Sequence, residues 1–308
     1  MTAPRLRIGT RGSALARTQT ALVCRALGAA HPELAQPGAL EVVVIRTTGD
    51  RVTDRPLAEL GGKGLFCKEL EAALLERRID LAVHSMKDLP TWLPEGLVIA
   101  ALLPRADPRD VLVTRAPCGL ADLPHGATVG SSSVRRRAQL LARRPDLRVV
   151  DFRGNVGTRL AKLQAGEVDA TLLARAGLDR LGLLELPGVV LAPEEMLPAV
   201  GQGAIGAECR TDDGSIRELL AAIDHAATSI CVRTERALLD ALDGSCHTPI
   251  AGYAELSGER LRLRALIARR DGSECLATER TGPTVEGEWL GRDAGHELRA
   301  RASPGFFD

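Results

Sequence analysis

Apolar positions gather in short blocks through the first two thirds of the chain. RLRIG (5–9), EVVVIRT (41–47), DLAVHS (80–85), LVIAAL (97–102), DVLVT (110–114), ATVGS (127–131), LRVVDF (147–152) and DATLLA (169–174) read as strands. Helical spacing of apolar residues falls between them, near 13–30, 64–77, 134–143 and 156–165. This alternation predicts an α/β architecture with largely parallel sheets covered by helices. LPRADPRD (103–110) sets two Pro among charges and reads as a crossing segment. LAPEEMLPAVGQGAIGAECR (191–210) reads as loop-like, because Pro193, Pro198, Gly201, Gly203 and Gly206 interrupt it. A helical pattern returns over 215–242, and 250–282 alternates like the antiparallel strands of a small α+β domain. No repeat with a period of 20–50 residues is visible.

Composition narrows the chemistry. In 308 residues the 40 Lys and Arg balance the 40 Asp and Glu, which disfavours nucleic acid as the main partner. Aromatics are 2%, too few for a surface that stacks bases or flat cofactors. Only four of the 40 cationic side chains are Lys, so the chain is rich in the residue that grips carboxylate and phosphate as a fork. No apolar run is long enough to span a membrane. The seven Cys are scattered without a CxxC pair, and the six His lack metal-site spacing. The expectation is a cytoplasmic protein with no metal and no membrane partner.

Three segments join a strand end, small or hydroxyl residues, Arg and a helix start. They are IGTRGSALARTQ (8–19) with Arg11 and Ser13, TVGSSSVRRRAQLL (128–141) with Ser133, Arg135 and Arg136, and DFRGNVGTRLAKL (151–163) with Arg153 and Arg159. A helix N-terminus offers unpaired N–H groups and partial positive charge, so Arg there has the wrong sign unless an anion is near. Solvent or a nearby acidic side chain is the plain alternative. The pattern alone does not choose between phosphate and carboxylate.

DLAVHSMKDLP (80–90) ends a strand and delivers Lys87 beside Asp88. The pair is either an ordinary surface pair or a carboxylate placed to stabilise a cation or exchange a proton. His84 reads as a packed strand-end histidine. GGKG (61–64) departs from the phosphate-loop pattern, so Lys63 belongs to a Gly-hinged flap rather than a nucleotide site. Cys246 lies in a GSCHTP loop, where a thiol is either inert or accessible.

Together these segments resemble the porphobilinogen deaminase (hydroxymethylbilane synthase) family. The stretches TRGSALA (10–16), GGKGLFCKELE (61–71), DLAVHSMKDLP (80–90), DPRDVLV (107–113), GSSSVRRRAQL (130–140), FRGNVGTRLAKL (152–163), PAVGQGAIGAECR (198–210) and RTERALLDALDGSCHTPI (233–250) run in family order. The resemblance implies a transferase that condenses four porphobilinogen units head-to-tail with loss of ammonia, then releases hydroxymethylbilane by hydrolysis. It implies a dipyrromethane cofactor held through a thioether at Cys246. Asp88 is the implied catalytic group, stabilising the cation left when ammonia departs. Lys87, Ser133, Arg135 and Arg136 are implied in cofactor binding. Arg11, Ser13, Arg153, Arg159 and Gln202 are implied around the carboxylates of the growing chain.

The implied fold is α/β, with two periplasmic-binding-protein-like lobes of mixed, largely parallel sheets plus a small C-terminal α+β domain. The expected division is 1–103 with 200–221, then 109–197, then 226–308 bearing the cofactor loop. A monomer acting on a small molecule is expected. Cys67 stands where the family usually has an aliphatic residue and is expected to be packed; His247 replaces a common Gln. The competing reading is a non-catalytic bilobal carboxylate-binding protein, which needs neither Asp88 nor Cys246.

Overall fold

Leu6–Arg11 forms the first strand, β1, and the hydroxyl of Ser13 caps the helix that follows it, α1 (Ala14–Ala30), by accepting from the Ala16 N–H. The computed structural model describes residues 6–51, 64–183, 185–244 and 248–307. The chain continues through β2 (Leu40–Ile45), α2 (Thr48–Arg51), α3 (Lys68–Leu75), β3 (Leu81–Ser85) and β4 (Leu97–Leu102). Then come β5 (Asp110–Thr114), β6 (Thr128–Gly130), α4 (Val134–Arg143), β7 (Arg148–Val150), α5 (Val156–Gln164), β8 (Ala170–Ala174), α6 (Arg175–Arg180) and β9 (Gly188–Val190). The last elements are β10 (Ile205–Arg210), α7 (Gly214–Ala221), α8 (Ala226–Ala241), β11 (Ile250–Ser257), β12 (Arg260–Ala268), β13 (Cys275–Pro283) and α9 (Gly287–Arg301).

The chain divides into two compact units, Met1–Ala106 with Ala204–Ser229, and Asp107–Gly203 with Ile230–Asp308. The first unit holds a sheet of order β2-β1-β3-β10-β4, in which β10 runs antiparallel to both neighbours and the other strands share one direction. One face of this sheet packs on α1 and α7 through Ile8, Val23, Leu27, Leu81, Val83, Ile205, Ala207 and Leu220. The other face packs on α3 through Leu70, Ala73, Leu74 and Ala82. Burying each large aliphatic side chain contributes roughly 1.5–3 kcal/mol.

The second unit contains a sheet of order β7-β6-β8-β5-β9, with β5 antiparallel to both its neighbours. In both sheets the reversed strand stands fourth, although no repeat is visible in the sequence. The same unit carries an antiparallel meander, β11-β12-β13. Along β12 the alternation places Leu261, Leu263, Ala265 and Ile267 inside, against Leu238 of α8 and Leu290, Ala294 and Leu298 of α9. Glu235 on α8 is a carboxylate in this core, and it accepts from the N–H groups of Gly201 (2.7 Å) and Ala254 (2.8 Å).

The structure corrects two expectations. The stretch 191–210, read as a loop, ends in the fully buried strand β10. Its central place between β3 and β4 buries both faces, so Gly206, Glu208 and Arg210 on one face hid the apolar alternation of Ile205, Ala207 and Cys209 on the other. The single helical pattern over 215–242 is two helices, α7 and α8, separated where Asp224 accepts from the Leu102 N–H and the Ser229 hydroxyl.

Candidate active site

In the first unit the parallel strands β1 and β3 end side by side. Arg11 terminates β1, and beyond Ser85 a single 3-10 turn, Met86–Asp88, carries Lys87 and Asp88 half-buried from the end of β3. A small cleft opens there, lined by Arg11, Gln19, Phe66, His84, Ser85 and Asp88 among others. Open α/β sheets place ligands at this edge, beyond the carboxyl ends of parallel strands.

Several lining side chains have fixed partners. The Arg11 guanidinium lies over the Phe66 ring at 4.0 Å. The Gln19 amide and the Ser85 hydroxyl are hydrogen-bonded to each other, with the amide nitrogen donating to the hydroxyl at 2.8 Å. The His84 ring is buried, and its Nε2 lies 2.9 Å from Glu208 Oε2. Cys67 is packed, and burial pushes its thiol well above the usual range, which disfavours the thiolate. The Glu71 carboxyl is pushed up chiefly by burial, against the hydrogen bond it shares with Cys67.

The second unit repeats the strand-end arrangement. Beyond β6, Ser133 caps α4 by accepting from the Arg136 N–H, and Ser132 accepts from the Phe152 N–H at 3.0 Å. The side chains of Arg135 and Arg136 run inward rather than to solvent. Arg135 donates to Asp110 Oδ2 (2.7 Å) and the Leu197 carbonyl, and Arg136 to Asp110 Oδ1 (2.6 Å) and the Leu172 carbonyl. Gln202 joins them, donating to Asp110 Oδ1 at 2.9 Å. Burial alone would raise the Asp110 carboxyl, but the two guanidiniums outweigh it and hold it well below the usual carboxylate range. The charge expected to meet a bound anion is thus already met, for much of these two forks, by an internal carboxylate. Arg136 Nε is buried with no hydrogen-bond partner among the described residues and remains a donor to spare.

Arg153 and Arg159 flank the turn after β7. Asn155 caps α5 by accepting from the Thr158 N–H (2.9 Å), and Arg159 Nε donates to the Gly154 carbonyl (2.9 Å). Gly154 has φ of +119°, outside the range comfortable for a side chain, and a Cβ there would lie 2.8 Å from Thr158.

The structure brings Arg11 and Asp88 to one cleft, Arg135, Arg136 and Gln202 to Asp110, Ser133 to the start of α4, and Arg153 and Arg159 to one turn. Lys63, Cys246 and His247 lie outside the described residues. Sequence reasoning passed over Gln19, Phe66, Asp110 and Glu208. A charged residue opening the apolar strand DVLVT was the available signal for Asp110.

Two family models match in succession, the porphobilinogen deaminase dipyromethane cofactor binding domain over residues 6–218 and the porphobilinogen deaminase C-terminal domain over 229–300. The chain belongs to the porphobilinogen deaminase family. The family protein of Paracoccus denitrificans is 58% identical over 98% of this chain and 96% of its own. The chloroplastic member from Oryza sativa is 53% identical over 98% of this chain and 86% of its own. Among solved structures, the periplasmic aliphatic sulphonate binding protein SsuA from Escherichia coli is 19% identical over 77% of this chain and 70% of that one, with a TM-score of 0.42. Family membership makes dipyrromethane the cofactor of the matched domain.

Proposed function

We propose that the chain is a hydroxymethylbilane synthase, a transferase that condenses four porphobilinogen units onto a covalent dipyrromethane primer and releases the linear tetrapyrrole by hydrolysis. The observation that carries this reading is the convergence of Arg11 and Asp88 on one cleft at the ends of β1 and β3. A carboxylate there stabilises a cation formed from the substrate as ammonia leaves, and the guanidinium neutralises a substrate carboxylate. A protein that only bound carboxylates would gain nothing from an acidic side chain among its cationic ones.

The donors fit the cofactor, which brings several carboxylates. Lys87, Ser133 and the spare N–H of Arg136 would hold it, with Arg135 fixing the start of α4 from below. Cys246 would anchor it as a thioether. The bound cofactor supplies the pyrrole carbon to which the first substrate unit is joined. Arg153, Arg159 and Ser13 would meet carboxylates of the chain as it grows, Gln202 would support the Arg pair through Asp110, and Lys63 is assigned by its sequence to a Gly-hinged flap. The small-molecule substrate requires neither nucleic acid nor membrane, and we place the enzyme in the cytoplasm as a monomer.

The test is the intact mass of the denatured protein, for wild type and Cys246→Ser. Wild type should exceed its chain mass by two condensed pyrrole units and the variant should not. Incubation with porphobilinogen should then add further units to wild type. A primer-bearing wild type that neither gains units nor releases ammonia would favour the binding-protein reading.

A further inference from the structure

Beneath the cleft lies a second group of ionisable side chains that the proposed reaction does not use. His84 and Glu208 stand on the same face of the sheet, one on β3 and one on β10, because Glu208 is opposite Ala82, two residues before His84. Glu71 comes down on that face from α3, and Cys67 precedes the same helix. All four are buried, and Glu208 is fully inaccessible.

A buried carboxylate needs partners for both oxygens. Glu208 has one, since Oε2 lies 2.9 Å from His84 Nε2 while Oε1 is buried with no partner among the described residues. Glu71 is close enough for the two carboxylates to repel. Two carboxylates buried beside one imidazole, with one carboxylate oxygen lacking a donor among the described residues, are costly to place in a core. A purely structural position would be filled at less cost by packed apolar residues. The His84 ring connects the group to the reaction, because it lines the cleft together with Asp88 and Arg11.

We propose that Glu208 is a positioning residue of the reaction: it orients the His84 ring that lines the cleft, so that the geometry and electrostatics beside Asp88 depend on this buried carboxylate. The proposal rests on the reading of the cleft as the deaminating site. The charged and titratable groups facing it among the described residues are few. From α3 and its approach come Cys67, Lys68, Glu69 and Glu71. Arg11 faces it from β1, and Asp88 from the end of β3. From α1 the cleft receives Ala16 and the neutral Gln19. On β10 the next ionisable residue on that face, Arg210, is turned to the carbonyls of Leu74 and Ile79 and to Asp213.

The experiment compares wild type and Glu208→Gln holoenzyme by porphobilinogen turnover across pH 5.5–9, with primer loading read by intact mass. Gln keeps the shape and removes the charge. The expected result is full primer loading, kcat lowered about tenfold with KM within threefold, and one limb of the pH profile displaced by about one unit or more. Glu71→Gln, which removes the repelling carboxylate, should displace the same limb. If Glu208→Gln does not fold, Glu208→Asp and Glu71→Gln carry the test with the same readout. Profiles superimposable on wild type would overturn the inference while leaving the function intact. A primer-loaded wild type without turnover would instead overturn the reading beneath it.

Discussion

Asp110 and Arg135 meet at 2.7 Å with the carboxylate wholly shielded from water and the guanidinium almost so. Arg136 takes the other carboxylate oxygen, and the three side chains tie β5 to the first turn of α4. A helix that starts with consecutive Arg is electrostatically costly, and here the remedy is internal.

Asp110→Asn should therefore lower stability by about 3–5 kcal/mol, the usual cost of breaking a buried pair from one side. An amide also turns a donor toward one of two guanidinium forks that only donate. Because the folded carboxyl lies below its unfolded value, its contribution is complete above the unfolded value, near pH 4, and fades as pH falls toward the folded one. The urea midpoint should drop sharply at pH 7, and the gap from wild type should narrow below about pH 4. An unchanged midpoint at pH 7 would show that the pair adds nothing.

Gly154→Ala tests the turn that seats Arg159. At φ of +119° a Cβ is strained and would overlap Thr158 at 2.8 Å, whereas Gly182, at φ of +69°, has nothing within 4 Å among the described residues. The first substitution should cost roughly 1–3 kcal/mol and the second about 1 kcal/mol. Equal shifts in urea midpoint for the two variants would mean that the turn rearranges freely.

Strand and helix patterns exposed most of both sheets because their apolar periods are clean. DVLVT and DATLLA are buried strands, and RLRLRALIA alternates along its length. Helix α9 was not legible for the opposite reason. Its inward face is Gly287, Leu290, Gly291, Ala294, Gly295 and Leu298, and a Cβ on Gly291 would lie 2.2 Å from the Thr234 carbonyl of α8. Close helix packing selected small residues and erased the apolar stripe. At the site, the strand-end Arg residues were visible as wrong-signed charges. Their true partner was not, because Asp110 is distant in sequence from both, and pairing across a sheet leaves no local spacing to read.

Phe66→Leu removes the ring beneath Arg11 while keeping an apolar filler. The contact is worth about 0.5–2 kcal/mol, so apparent affinity for porphobilinogen should weaken by roughly 2- to 30-fold. Because the ring holds the guanidinium rather than the reacting atoms, KM should rise more than kcat falls. A variant with unaltered KM and depressed kcat would place Phe66 against the reacting centre itself.

Asp88→Asn separates charge from shape at the end of β3. The amide retains an oxygen that accepts hydrogen bonds but loses the negative charge that opposes a developing cation. The 3-10 turn places residue 88 by backbone geometry, closed by the Leu89 N–H donating to the Met86 carbonyl at 3.3 Å, so the substitution leaves the cleft intact. Turnover should fall by at least about 100-fold, since positioned charge and proton exchange commonly contribute that much or more. The urea midpoint and the intact mass of the loaded protein should match wild type, and this combination sets chemistry apart from folding. Activity within severalfold of wild type would remove Asp88 from the reaction and leave the cleft, with its Arg11, as a carboxylate-binding surface alone.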